Sequence, residues 1–169
     1  MPNAKVPAIH SVALDWRLSQ SYVADTATVE FLRRIRDHGR PFGRRCSGCH
    51  RVLCPARAVC EFCACKTDRW VELGTGGELR TLTVAGVRFD GFPEPPYAFG
   101  FVQLDGASTC LLGFLDGRDW SELKNWSDLI GSRCSFVPRP QRVGDWLDFS
   151  FTLPLPLSSS GKPEPQTPA

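Results

Sequence analysis

The sequence lacks a long hydrophobic run and any strong excess of charge. No segment approaches the roughly 20 apolar residues of a membrane-spanning helix. The first residues, Met1–Pro7, contain no apolar core of signal-peptide length. The net charge is only +2, which does not indicate nucleic-acid binding by itself. These absences predict a cytoplasmic protein without a membrane segment, and therefore reduced thiols.

Histidine is also scarce, with three in 169 residues. A nucleophilic enzyme needs a base beside its serine or cysteine. His10 lies in an N-terminal arm, His38 at a predicted helix end and His50 directly after a cysteine pair. Because none of them has a recognisable catalytic setting, we assign no catalytic residue, and the scarcity of histidine argues against independent catalysis.

Against these absences stand eight cysteines, four of which form two Cys-x-x-Cys pairs, Cys46 with Cys49 and Cys60 with Cys63. Two such pairs joined by a loop are typical of a zinc ribbon, in which each pair places two thiolates on one tight turn. Four thiolates close a tetrahedral shell, so the predicted zinc is structural. An iron site of rubredoxin type has similar spacing and is the alternative.

Residues 25–38 carry the periodicity of an amphipathic helix. Ala27, Phe31 and Ile35 recur at four-residue steps. Asp25 is a capping residue ahead of them, and Gly39 supplies a stop. The pattern therefore predicts one helix before the cysteine pairs.

After the cysteines, short apolar runs alternate with turns, as in a small β-domain. Predicted strands cover residues 79–85, 97–104, 109–115 and 129–137. In a final run, Leu147, Phe149 and Phe151 alternate with Asp148 and Ser150, the pattern of a strand with one buried face. About five strands with a short helical insert predict a barrel of OB type, with a small antiparallel sandwich as the alternative.

The predicted fold class is therefore mainly β, with an N-terminal helix, a rubredoxin-like zinc ribbon and an OB-fold barrel. Four segments follow: an arm and helix at 1–41, the ribbon at 42–69, the OB-fold domain at 70–153 and a disordered proline-rich tail at 154–169.

This order of elements resembles the zinc-ribbon/OB-fold family of acyl-CoA-associated proteins. The resemblance covers about residues 12–153 and rests on these segments: Arg45–Cys49, Cys54–Arg57, Cys60–Cys63, Trp70–Leu73, Thr81–Val84, Pro96–Phe99 and Ile130–Gly131. The chain departs from the family at three positions. The family often has glycine directly after each cysteine pair, where this chain has His50 and Ala64, and commonly has a second proline where Cys54 stands.

The resemblance implies an accessory role. Such proteins are typically small subunits beside a thiolase-like enzyme, or beside a hydratase or aldolase acting on acyl-CoA. Members associated with thiolases include subunits that help to cleave aromatic acyl-CoA esters. We therefore expect a hetero-oligomer with a thiolase-type enzyme that makes or breaks a carbon–carbon bond. A hydratase or aldolase partner, or a stand-alone nucleic-acid-binding module, is the alternative.

The stretch from Arg33 to Arg69 is basic, with ten lysines and arginines against three acids. A solvated face or a partner contact would explain this excess. Attraction of the phosphate-bearing part of coenzyme A would also explain it, because guanidinium groups donate paired hydrogen bonds to phosphate oxygens. The predicted coenzyme A contacts are Arg40, Arg44, Arg45 and Arg57.

The segment Tyr97–Leu115 contains no lysine or arginine. OB-folds that bind single-stranded nucleic acid combine aromatic residues with basic ones along the binding groove. The composition of this segment therefore argues against nucleic-acid binding. We expect these strands to be buried, or pressed on another protein.

Overall fold

The computed structural model describes residues 23–121 and 125–154. In these ranges the elements, in chain order, are α1 Thr26–His38, β1 Phe42–Cys46, β2 Val52–Leu53, β3 Thr67–Glu72, β4 Gly76–Ala85, β5 Tyr97–Leu104, β6 Leu111–Asp116, a 3-10 helix Trp126–Leu129, β7 Arg133–Pro138 and β8 Phe149–Thr152. Residues 1–22, with His10 and most of the predicted arm, and residues 155–169 of the predicted tail lie outside the described residues. Within the described ranges, no helix has the length and apolar character needed to cross a membrane.

The predicted helix is confirmed, together with both of its end signals. The Asp25 carboxylate accepts a hydrogen bond from the Thr28 backbone N–H at 2.7 Å, as an N-cap does. Gly39 adopts the left-handed φ of 63°, and its N–H donates to the carbonyl of Ile35. Phe31 and Ile35 are fully buried in the main hydrophobic core.

The ribbon contains a three-stranded antiparallel sheet in the order β2-β1-β3. β3 runs across residue 70, where the sequence places the start of the barrel segment. Its pairing with β1, which includes Phe42 opposite Glu72 and Arg44 opposite Trp70, makes it part of the ribbon sheet.

The five remaining strands form a closed barrel in the order β4-β5-β6-β8-β7. β6 and β8 are parallel, whereas the other neighbours are antiparallel. This exchange of the last two strands is the Greek-key order of the OB-fold. The 3-10 helix precedes the fourth strand of the barrel. The predicted fold class is confirmed, and the barrel closure excludes the sandwich alternative.

Phenylalanines from the last two strands fill the barrel interior. Phe136, Phe149 and Phe151 pack with ring centroids 5.1–6.0 Å apart. Two inward positions on the neighbouring strands have no room for a side chain. A Cβ at Gly113 would lie 2.7 Å from the Phe151 ring, and one at Gly100 would collide with a β4 carbonyl oxygen. The other inward residues of β5 and β6, such as Val102 and Leu111, complete the barrel core.

Burial does not alternate along the last predicted strand as expected, because Asp148 and Ser150 are only 3% and 2% exposed. The Asp148 carboxylate accepts hydrogen bonds from the backbone N–H groups of residues 143, 144 and 145, at 2.6–3.1 Å. A buried carboxylate thus closes the loop between β7 and β8. Leu147, predicted to face inward, is instead exposed.

Hydrogen bonds fasten the ribbon to the turn between β5 and β6. Val52 and Ser108 are joined by two of them, at 2.7 and 3.1 Å. The Thr109 hydroxyl accepts from the Cys54 N–H at 2.8 Å and lies 2.9 Å from the Cys54 carbonyl, to which it donates. Val52 and Cys54 also belong to the main hydrophobic core, so ribbon and barrel share one interior.

Candidate metal centre

Four thiols converge between the two turns of the ribbon. The Sγ atoms of Cys46 and Cys63 are 3.4 Å apart, and those of Cys49 and Cys60 are 3.6 Å apart. All four lie within 4.8 Å of one another. A tetrahedral shell with zinc–sulfur bonds of about 2.3 Å places its sulfurs about 3.8 Å apart. The four cysteines can therefore hold a metal ion.

The two turns have the same backbone shape, and we call each turn with its cysteine pair a knuckle. The N–H of His50 donates to the Cys46 carbonyl at 3.2 Å, and the N–H of Ala64 donates to the Cys60 carbonyl at 2.9 Å. His50 and Ala64 adopt left-handed φ values of 62° and 57°. These are the two positions where glycine is common in the resembled family. The knuckle shape is therefore kept without glycine, at a cost of roughly 1–2 kcal/mol for a residue with a Cβ.

Backbone N–H groups favour the thiolate form in the first knuckle. A hydrogen bond from the Cys49 N–H is the largest influence lowering the pKa of Cys46, assisted by the Gly48 N–H. The pKa of Cys49 is lowered to about 6, chiefly by a hydrogen bond from the Arg51 backbone N–H. Since thiolates are the metal-binding form of cysteine, the local backbone prepares this knuckle for a cation.

In the second knuckle, the neighbouring thiols disfavour the thiolate form of Cys63. The Cys65 backbone N–H acts to lower the pKa of Cys63, but the neighbouring Cys46 thiol, burial and the Cys49 thiol outweigh it and raise the pKa to about 12. A bound cation would reverse this preference, because it stabilises several adjacent thiolates at once.

The other cysteines fall outside this group. Cys54 is fully buried in the main core, and burial raises its pKa. Cys134 is also buried, and burial raises its pKa to about 11. Cys65 is exposed and is not among the four grouped thiols. Close spacing in the sequence therefore creates no ambiguity about which four residues converge.

The ribbon has little hydrophobic interior of its own. Its separate buried cluster consists of Cys46, Leu53 and Cys60, with Cys49 packed against it. Three of these four residues belong to the thiol group. A bound metal ion would thus provide the stabilisation that buried apolar side chains provide in a larger domain.

The four arginines predicted to contact coenzyme A do not converge. Arg40 donates to Glu72 at 2.6 Å, Arg44 to the Thr67 carbonyl at 2.7 Å, Arg45 to the His50 carbonyl at 3.1 Å, and Arg57 lies 3.5 Å from Glu61. Each therefore has a partner within the chain. Two cavities in the described part of the chain are lined by Arg57 and another by Arg45, and none of these three is lined by both.

The cavity beside the first knuckle is polar and holds about 600 Å³. Arg45, His50 and Arg69 contribute its basic groups, and Asp68 its acid. Trp70 forms another part of the wall. The guanidinium of Arg34 stacks on its ring, 4.6 Å from the ring centroid. Cationic groups beside a fixed indole suit an aromatic ligand that carries phosphate.

An apolar cavity that includes barrel residues was not predicted from the sequence as a site. This cavity, which we call the aromatic groove, holds about 580 Å³ and is lined by Pro55, Arg57, Phe92, Phe99, Phe101, Cys110, Leu112, Gly113, Phe114, Trp146 and Leu147. One signal was present in the sequence. Aromatic residues alternate with small ones from Tyr97 to Phe101, so one face of this strand is unusually bulky.

Comparisons with known proteins show the fold. The sequence matches no family model and no curated protein. A solved structure of the Ltp2–ChsH2(DUF35) aldolase is 19% identical, with a TM-score of 0.60, and the match covers 79% of this chain and 98% of that chain. A DUF35 family protein of unknown function from Sulfolobus solfataricus is also 19% identical, with a TM-score of 0.55, over 76% of this chain and 86% of that chain. The structural neighbours are thus DUF35 proteins.

Proposed function

We propose that this chain is a non-catalytic accessory subunit of an acyl-CoA-processing complex, and that its partner is a thiolase-type enzyme that makes or breaks a carbon–carbon bond. The observation that carries the proposal is the likeness in fold to a chain of the Ltp2–ChsH2(DUF35) aldolase, which extends over 98% of that chain. An aldolase also acts on carbon–carbon bonds. The arrangement of ribbon and barrel therefore suits a protein that assists such chemistry.

In this proposal the ion is zinc, bound by Cys46, Cys49, Cys60 and Cys63, and its role is structural. Four thiolates leave no coordination position for substrate or water. The ion fixes the two knuckles relative to each other and so maintains the ribbon as a rigid surface. The catalytic nucleophile and the acid and base groups belong to the partner.

Coenzyme A remains the proposed shared ligand. Arg45 and Arg57 are the first contacts to test, because each lines a cavity. Arg40 and Arg44, which bond to Glu72 and the Thr67 carbonyl, line none of these three cavities and are tested after them. The polar cavity beside Arg45 and Trp70 has the chemistry that an adenosine phosphate requires.

Co-expression tests the proposal. The full chain would be produced with thiolase-, aldolase- and hydratase-type subunits encoded by neighbouring genes, and the products separated by size-exclusion chromatography. We expect co-elution with one of these enzymes, and a large fall in its activity when this chain is omitted. If the chain instead stays alone with every neighbour and binds single-stranded nucleic acid with a steep salt dependence, the proposal fails.

A further inference from the structure

The outer face of the hairpin formed by β5 and β6 is apolar, although its barrel interior is already filled. Tyr97, Phe99 and Phe101 alternate with the inward residues of β5, and Leu112 and Phe114 do so on β6. Phe101 and Leu112 are each 44% exposed. An outward position on a half-solvated strand ordinarily carries a polar residue. Tyr97 and Phe114 are themselves buried and pack with Phe92, whereas the exposure of Phe101 and Leu112 is not explained by the need to fold the barrel.

Two loops and the ribbon turn this face into a groove. Phe92, from the loop between β4 and β5, packs against Phe114 with ring centroids 5.5 Å apart. Trp146, from the loop between β7 and β8, also lines the groove and packs against Phe31 of α1, with ring centroids 5.7 Å apart. Pro55 closes the end next to the ribbon. The second and third strands of an OB-fold, with the loops beside them, are the face that binds ligands in this architecture.

The volume and lining of the groove suit a small molecule. Sites for small ligands hold about 300–1,000 Å³ and are mostly apolar with few polar groups. The aromatic groove holds about 580 Å³, and Arg57 is the single charged side chain among its described lining residues. Proteins that bind single-stranded nucleic acid have several positive charges along the groove that contacts the backbone, and this groove has one. The ligand is therefore apolar over most of its length.

Arg57 marks where the polar end of the ligand would lie. It also lines a second cavity of about 440 Å³, which shares Pro55 and Trp146 with the groove. The Arg57 guanidinium is 3.5 Å from the Glu61 carboxylate, and both side chains are solvent-exposed. A surface pair of this kind contributes little and is readily exchanged for another anion or a carbonyl oxygen. The carboxylate of Asp25 in the second cavity is already used as the cap of α1.

We infer that the aromatic groove binds the acyl part of a ring-containing or long-chain acyl thioester, with the polar end of that group at Arg57. The inference rests on the proposed function for the thioester, whereas the groove itself is observed independently. Aromatic walls favour a flat hydrocarbon body, because ring–ring contacts add to the burial of area.

A direct binding assay on the full chain tests this inference. The probe is the anilinonaphthalene sulfonate dye ANS, which combines a flat apolar body with one anionic group. Phenylbutyrate and its coenzyme A thioester serve as competitors. We expect saturable ANS fluorescence that both competitors displace. Phe101→Asp and Leu112→Asp should each weaken binding by about tenfold or more, because each removes buried apolar contact area.

Matched variants distinguish binding in the groove from nonspecific hydrophobic binding of the dye. Val137→Asp places the same charge on another barrel strand, at a residue 38% exposed, and should leave binding unchanged. Arg57→Gln should weaken the binding of ANS and phenylbutyrate, which are anionic, more than the binding of neutral phenylbutyramide. Thermal unfolding of every variant would verify that the fold is retained.

Three outcomes would overturn the inference. The first is equal loss of binding in Val137→Asp and Leu112→Asp. The second is a groove variant that changes the oligomeric state of the isolated chain while no competitor displaces the dye, which would identify a contact between copies. The third is that Leu112→Asp no longer co-elutes with the partner enzyme, while no competitor displaces ANS from the unaltered chain. This result would make the groove a contact surface for the partner, and the proposed accessory role would remain.

Discussion

Replacing one metal ligand should unfold the ribbon, and the cysteine next to the second pair provides the control. In Cys60→Ser, one of four converging thiols is lost. We expect zinc affinity to fall by more than the roughly 10–100-fold that loss of an outer contact to a ligand costs. Cys65→Ser makes the same chemical change at an exposed thiol outside the group, and it should keep one zinc per chain.

The magnitude follows from what else holds the ribbon together. Of its own buried cluster, Leu53 is the one member that is not a grouped thiol. Full burial of a leucine contributes about 1.5–3 kcal/mol, whereas structural zinc in ribbon-like peptides contributes about 10–16 kcal/mol at neutral pH. Within this cluster the metal is therefore the larger stabilising term by several-fold, and the two knuckles should lose their structure without it.

Elemental analysis and chelator titration during thermal unfolding would measure both quantities. Zinc gives a colourless protein, whereas an iron site would absorb visible light. The reasoning is refuted if Cys60→Ser binds as much metal as the unaltered chain. It is equally refuted if Cys65→Ser loses metal to the same extent.

Three further predictions concern the backbone, the core and pH. Ala64→Gly should stabilise the metal-bound protein by about 0.5–1 kcal/mol in denaturant titration, because glycine relieves the left-handed backbone while adding some freedom to the unfolded chain. Gly113→Ala should cost about 1–3 kcal/mol, since the added Cβ would lie 2.7 Å from the Phe151 ring. Hydrogen bonds from Arg133 lower the pKa of Asp105. That pair therefore stabilises the fold above the usual aspartate pKa and loses its effect as pH falls through the lowered value, so Asp105→Asn should match the unaltered chain only in acid.

Controls are available for each of these three. Ala58→Gly, at a position without positive φ, should not stabilise the protein, and equal gains at Ala58 and Ala64 would remove the backbone argument. Gly86 has open space around its Cβ position, so Gly86→Ala should be tolerated, and a similar loss there would refute the steric reasoning for Gly113. A stability difference in Asp105→Asn that does not change with pH would rule out an electrostatic cause.

Local signals in the sequence were sufficient to predict the helix and the two knuckles. The cap at Asp25 and the stop at Gly39 act within a few residues, and both are observed. The spacing of each cysteine pair is likewise a property of one turn. The barrel could be anticipated from the number of its strands, but its order depends on the parallel pairing of β6 with β8, which joins distant residues.

Two of the four arginines predicted to contact coenzyme A have partners that the sequence does not reveal, because those partners are distant in the chain. Register between β1 and β3 places Trp70 beside Arg44, and Arg40 meets Glu72, so these arginines are engaged within the fold. The polarity of Asp148 predicted exposure, but three backbone N–H groups of its own loop satisfy it in the interior.

The groove could be predicted only in part. The alternation of aromatic and small residues around Phe99 was visible in the sequence and indicates two unequal faces. The approach of Phe92 and Trp146 from two different loops was not, because loop positions depend on the closure of the barrel.

The segment between the two knuckles has a consequence for regulation. It leaves Cys49, is fastened to the barrel through Val52 and Cys54, contributes Pro55 and Arg57 to the groove wall, and returns to Cys60. One short stretch thus ends in metal ligands on both sides and borders the groove in its middle. If the proposed ligand contacts this segment, metal binding and ligand binding would be coupled, and such coupling is reciprocal. Zinc would then raise the affinity of the groove for its ligand, and an occupied groove would raise the affinity of the four thiols for zinc.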